Sequence, residues 1–182
     1  MRSYRTLGNK NIGIQYITIN WKGDYKFTEE TVEFLHETKE IIKFISESDT
    51  ELTEFGIYAI VSGRCRKSSR GVCYIGYTYG EEYERCFIDR LKEHMRTGYI
   101  GECEIEAIQP AYFKVGVIID SGQEKMTREL LEEVEGLLIL AHQPDCNVVK
   151  KEMAKVRDMI IINRGDYQPL LPRIDSRDFE YE

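Results

Sequence analysis

The chain has 182 residues, enough for one ordinary domain with a modest extension, and its 42% hydrophobic content is enough for a core. A net charge of −7 argues against a passive, sequence-independent nucleic-acid coat. No apolar run reaches the roughly 18 residues a membrane span needs, and Met1-Arg2-Ser3-Tyr4-Arg5 opens no signal-like segment, so no membrane partner and a cytoplasmic location are expected.

In chain order, the first eleven residues are polar. Ile12 to Trp21 alternates well enough for a strand, with a turn over Trp21 to Tyr25. Thr28 is placed to cap a helix whose apolar residues Val32, Leu35, Ile42 and Ile45 recur at helical spacing as far as Ser46. Next come two short apolar runs, Phe55 to Val61 and Val72 to Tyr77, around a basic polar loop, Ser62 to Gly71. That pattern predicts an antiparallel hairpin. The triplets Gly56-Ile57-Tyr58 and Tyr74-Ile75-Gly76 mirror each other about residue 66. A register with that symmetry sets Tyr58 directly opposite Tyr74 on one face.

An acidic bridge, Gly80 to Glu84, leads to a helix ending near Arg96. Phe87, Ile88, Leu91 and Met95 form its buried stripe, and Arg90 and His94 are an i, i+4 pair at the edge of that stripe. Cys103 to Ile108 and Ala111 to Ile119 read as strands around Pro110. Thr127 opens a helix to about His142, which Pro144 stops. Its row Leu131-Glu135-Leu138-His142 sets one carboxylate among apolar neighbours, where a charge needs a partner. Glu129, Glu132 and Glu133 fall on other rows and read as solvated. Asp158 to Asn163 is a last strand, before a Pro-bearing segment and an acidic tail. The domain reading is an N-terminal strand-helix extension over 1–53, a core over 54–150, and a C-terminal strand and tail over 151–182 that pack on the core.

The motifs at these positions resemble the GIY-YIG endonucleases. The two triplets, Arg90-Leu91-Lys92-Glu93-His94 as the Arg-x-x-x-His helix segment, and Glu135 followed by Pro144 and Asn147 occur in the family's order. The likeness covers about Phe55 to Val149. The interval from Gly76 to Arg90 is wider than is usual in the family, which makes Arg85 the competitor; Arg90 is preferred because only it has a His four residues later. The resemblance implies an α+β fold with a small central antiparallel β-sheet flanked by helices. It also implies one site lined by Tyr58, Tyr74, Arg90, His94, Glu135 and Asn147, in a restriction-type or phage or mobile-element enzyme.

The residue chemistry suits phosphodiester hydrolysis, which needs an activated water and neutralised phosphoryl oxygens. Glu135 is the expected metal ligand, a hard oxygen donor suited to Mg2+ or Mn2+, with the DNA phosphate expected to complete a sparse site. Arg90 offers a fixed cationic fork for the scissile phosphate. Either tyrosine relays a proton, provided a nearby cation favours its phenolate, and His94 orients or deprotonates one of them. The alternatives are sheet packing for the tyrosines, a buried Glu135–Arg90 pair, and a turn-capping role for Asn147. Residues 64 to 96 hold eight Lys or Arg against five acids. Arg64, Arg66, Lys67, Arg70, Lys92 and Arg96 are therefore the expected DNA contacts. A double-strand cut by a one-site chain is met most simply by a homodimer.

Within the nuclease reading, a structure-specific repair nuclease stays open, and two other function classes do too: a non-catalytic DNA-binding module with a GIY-YIG-like fold, and an interaction domain with no nucleic-acid role. The five cysteines, at 65, 73, 86, 103 and 146, contain no Cys-x-x-Cys pair and are expected as unpaired thiols. A zinc site on Cys65 and Cys73 would lack a second ligand pair.

Overall fold

The computed structural model describes residues 13–47, 55–66, 69–79, 86–122, 127–148 and 157–179. It is an α+β fold built on one curled six-stranded sheet. The elements are β1 (Gln15–Lys26), α1 (Glu29–Thr38), α2 (Glu40–Glu47), β2 (Phe55–Ser62), β3 (Val72–Tyr79), α3 (Phe87–Thr97) and β4 (Tyr99–Ile100). There follow β5 (Cys103–Glu104), α4 (Ile105–Ile108), β6 (Ala111–Asp120), α5 (Arg128–His142), β7 (Met159–Gly165) and β8 (Arg173–Asp175). The sheet order is β3-β2-β6-β1-β7-β8, with β4 and β5 a separate ribbon.

The expected antiparallel sheet is corrected to a mixed one. β2 pairs antiparallel with β3 and β6, and β1 pairs antiparallel with β6, but β1 runs parallel to β7. β1 thus lies inside the sheet, with its own ladder on each side. The turn expected over Trp21 to Tyr25 is a strand instead: β1 continues to Lys26, absorbing Asp24 as a bulge at φ 76°. A bulge needs one left-handed residue, which Asp tolerates better than most.

Each face of the sheet carries a core. On one side α5 lays Leu130, Leu131, Val134, Leu137 and Leu138 over Trp21, Ile57, Ala59 and Ile161. On the other, α1 and α3 pack Val32, Leu35, Phe87, Ile88 and Leu91 against Tyr58, Ile60, Phe113 and Val115. Period-two alternation along β2 sends Ile57 and Tyr58 to opposite cores. Trp21 Nε1 donates to Asn163 Oδ1 at 2.8 Å, so the indole N–H is satisfied where it is buried.

Three further expectations are corrected. The single helix from Thr28 to Ser46 is two helices, divided at Lys39, which takes the left-handed conformation that ends α1. Thr28 caps α1 as expected, accepting from the Thr31 amide. Cys103 to Ile108 is two strand residues followed by the short α4, so Ile105 and Ile108 share a helical face directed inward. Four of the five cysteines pair rather than standing free, as Cys65–Cys73 and Cys103–Cys146. Folding brings their Cα atoms to 5.6 and 5.2 Å, a proximity invisible in the spacing. Cys86 remains a thiol. The acidic bridge lies outside the described residues. Among the described residues no helix is long and apolar enough to cross a membrane.

Candidate active site

The site grows out of the β2–β3 hairpin, where the observed register differs from the symmetric one. Tyr58 stands opposite Gly76 and Ile60 opposite Tyr74, a shift of two residues. An even shift preserves the face, so both tyrosines still point to the α3 side, now as a diagonal pair with ring centroids 5.9 Å apart. The register explains the glycine of the second triplet. A Cβ on Gly76 would come within 2.5 Å of the Tyr58 hydroxyl, so only glycine leaves room for the phenol to lie across the strand. Gly56 meets the same condition under the Phe87 ring, which packs edge-on against Tyr58.

From α3, His94 reaches back to this pair. The Tyr58 hydroxyl and His94 Nε2 are 2.9 Å apart, and His94 Nδ1 is 3.2 Å from the Tyr99 carbonyl oxygen. A carbonyl can only accept, so Nδ1 carries the ring hydrogen, and in the neutral ring Nε2 accepts from Tyr58. Local structure sets this geometry. α3 ends at Gly98 in a left-handed cap (φ 73°), and the turn that follows brings the Tyr99 carbonyl to the ring.

Burial governs the ionisation of the cluster. It holds the His94 imidazolium below the ordinary histidine range and raises both phenols, Tyr58 well above theirs. For Tyr74 the Glu135 charge adds to that rise, while Arg90 works against it for both tyrosines. The resting cluster is therefore two neutral phenols and a neutral imidazole. Tyr58 is fully buried, whereas Tyr74 is partly exposed.

Tyr74 opens onto a cleft of about 190 Å3 that also takes Arg90 from α3, Glu135 and Arg128 from α5, and Tyr77, Thr78 and Tyr79 from β3. β3 is the end strand of the sheet, and α3 and α5 pack on its opposite faces. The cleft therefore wraps the outer edge of one strand. Arg90 is ion-paired with Glu93 on its own helix. Glu135 is 7% exposed, on the buried row the spacing predicts with Leu131, Leu138 and His142.

Asn147 is buried and uses both ends of its amide on the backbone of one residue, Ile75. Its Oδ1 accepts from the Ile75 amide at 2.9 Å and its Nδ2 donates to the Ile75 carbonyl at 2.8 Å. Beside it, the Cys146 amide donates to the Cys73 carbonyl at 2.8 Å. These two residues imitate a neighbouring strand, satisfy the β3 edge on either side of Tyr74, and leave the cleft to begin where they stop.

The basic residues expected to meet DNA are placed less uniformly. Arg64, Arg70 and Arg96 are exposed and Lys92 is half-buried. Arg66 is exposed but engaged with Asp145 through its backbone amide at 2.8 Å and its Nε at 3.5 Å. Lys67 and Arg85 lie outside the described residues.

The sequence reading did not single out Tyr77, Tyr79 or Arg128, and Glu132 and Glu133 are not simply solvated. Tyr77 donates to Glu132 at 2.8 Å, and Arg157 grips Glu133 at 2.8 and 3.1 Å. Strand alternation gave no signal for the two tyrosines, since Tyr77 and Tyr79 fall on the opposite face of β3 from Tyr74 and meet it only around the strand's outer edge.

For a divalent cation the test is the donor set. No three His, Cys, Asp or Glu side chains among the described residues converge on one point. Glu135 nonetheless fits a one-carboxylate site, a buried hard oxygen donor at the wall of a polar cleft.

Comparison with family models, with curated proteins and with solved structures finds no match to this chain.

Proposed function

We propose that the protein is a divalent-metal-dependent endodeoxyribonuclease with a GIY-YIG-like core, cutting phosphodiester bonds in the cleft at the β3 edge. The observation that carries the reading is the tyrosine–tyrosine–histidine cluster beside Arg90 and Glu135. Residues from β2, β3, α3 and α5 meet there, which packing alone does not require.

In this reading the scissile phosphate lies against the Arg90 fork, whose charge persists at any working pH. Tyr74, at the cleft surface, accepts the proton of the attacking water as it passes its own to Tyr58. Tyr58 in turn passes a proton to His94 Nε2. The resulting imidazolium keeps its Nδ1–H bond to the Tyr99 carbonyl. A relay of neutral groups suits a site where burial makes a standing phenolate costly. Glu135 is the residue that would hold Mg2+ or Mn2+. When bound, the ion would supply charge neutralisation on the phosphoryl and leaving oxygens. Asn147 is a positioning residue that holds Tyr74's strand.

The test is plasmid cleavage with and without Mg2+, for wild type and Glu135→Gln. The substitution keeps the shape, removes the charge facing phosphate, and should abolish cutting while duplex binding persists or tightens. A Glu135→Gln protein that still cuts would sink the reading. DNA binding without cleavage under any metal would instead favour a non-catalytic DNA-binding module.

A further inference from the structure

Arg90 is not the cleft's one arginine: Arg128 lines the same cleft from α5. Arg128 is the first residue of α5 and lies two turns before Glu135, about 10 Å along the helix axis. Its Nε donates to Glu132 Oε1 at 3.1 Å, and the Tyr77 hydroxyl donates to the same oxygen at 2.8 Å. One carboxylate oxygen thus ties the arginine to the end strand of the sheet. Arg90 is oriented in a similar way, by Glu93 one turn along α3. Two guanidinium groups, each steadied by an acid of its own helix, flank the β3 edge from opposite faces of the sheet.

An isolated surface pair of this kind contributes little to stability, and Arg128 remains 61% exposed. A guanidinium carries five N–H donors, so with Glu132 and Tyr77 beside it Arg128 still has donors to offer an anion in the cleft. It enters the cleft on the α5 side of the β3 edge while Arg90 enters on the α3 side, a placement that suits another phosphate of the same strand, since phosphates advance about 3.4 Å per nucleotide along a duplex axis. We propose that Arg128 is a second phosphate-binding residue. It contacts a neighbouring phosphate of the strand being cut, so that this strand runs along the β3 edge from Arg90 to Arg128. The proposal rests on the nuclease reading and adds to it a direction for the substrate.

The test uses full-length protein carrying Glu135→Gln, titrated against a short fluorescein-labelled DNA duplex at several salt concentrations, with plasmid cleavage by the corresponding single variants in parallel. Adding Arg128→Gln should weaken binding by about fivefold and lower the slope of log K against log salt by about 1, the loss of one phosphate contact. Arg128→Lys should keep the slope, because the charge survives. Wild-type affinity and slope in the Gln variant would overturn the proposal. So would equal weakening by Gln and Lys at unchanged slope, which would mark a structural role. If the wild type cuts plasmid and Arg128→Gln changes nothing, only this inference falls. If the wild type neither binds nor cuts, the nuclease reading falls with it.

Discussion

Tyr58 gives its hydroxyl hydrogen to His94 Nε2 over 2.9 Å, joining β2 to α3 across 36 residues of sequence. As a proton relay, this pair acts as one unit. Tyr58→Phe and His94→Gln should each lower turnover by roughly two orders of magnitude or more, and the double variant by little beyond either. The pH profile gives a second readout. Activity needs neutral His94, so it should fall on the acid side as the ring protonates. Because burial lowers the His94 pKa, that fall should come below the ordinary histidine value of about 6.5. Additive losses, or an acid limb that survives His94→Gln, would exclude the relay.

The Arg90 assignment is checked against Arg85. Arg90→Ala should reduce turnover by at least about a hundredfold, near 2.7 kcal/mol, with Arg85→Ala mild. The reverse pattern in single-turnover cleavage would move the phosphate contact to Arg85.

Asn147→Asp exchanges the Nδ2 donor for an oxygen, so two acceptors would face each other at the Ile75 carbonyl. Leaving a buried backbone group unmatched costs about 1–3 kcal/mol, and more once a charge is buried. The melting temperature should drop, and cleavage should fall with it as Tyr74's strand loosens. An unchanged melting temperature would show that the β3 edge does not depend on this amide.

Acid should destabilise the fold through His142. Its Nδ1–H donates to the Leu138 carbonyl at 2.8 Å, and its Nε2 accepts from the Leu171 amide at 3.0 Å. That arrangement requires the neutral ring, and burial pushes its pKa down to about 4. The unfolded chain takes up the proton near pH 6.5, so stability is fully present above that value and is lost as pH falls toward about 4. The loss amounts to roughly 3 kcal/mol. Urea midpoints for wild type and His142→Gln should converge across this window; a gap that stays constant with pH would rule out His142 as the titrating group.

The two disulfides should matter unequally. Cys103–Cys146 closes a loop with a sequence separation of 43, and Cys65–Cys73 one of 8. Loop-closure entropy assigns them about 4 and about 2.5 kcal/mol. Cys73 and Cys146 also sit where the Asn147 segment meets β3. Cys103→Ser should therefore lower the melting temperature more than Cys65→Ser, and a dithiol should reproduce both losses. Melting curves indifferent to reductant would show that the bonds do not form in solution.

Local features were legible in the residues alone. Thr28 and Thr127 announced the starts of α1 and α5 because a cap acts on amides within three residues. The apolar rows of α3 and α5 followed from a period of 3.6, and that period placed Glu135 on a buried row before any tertiary contact was known. Alternation likewise put Tyr58 and Tyr74 on one face. The register did not follow, because a loop as long as Ser62 to Gly71 exerts no geometric control over pairing. Only packing, with the Tyr58 phenol lying over Gly76, selects Tyr58 against Gly76 rather than against Tyr74. Nor could spacing reveal that β1 sits between β6 and β7 with a parallel partner, that Cys65 meets Cys73 and Cys103 meets Cys146, or that Asn147 spends its amide on Ile75. All but the Cys65–Cys73 pair are contacts between distant segments. They form only once burial of a shared surface has brought those segments together, which no window of sequence contains.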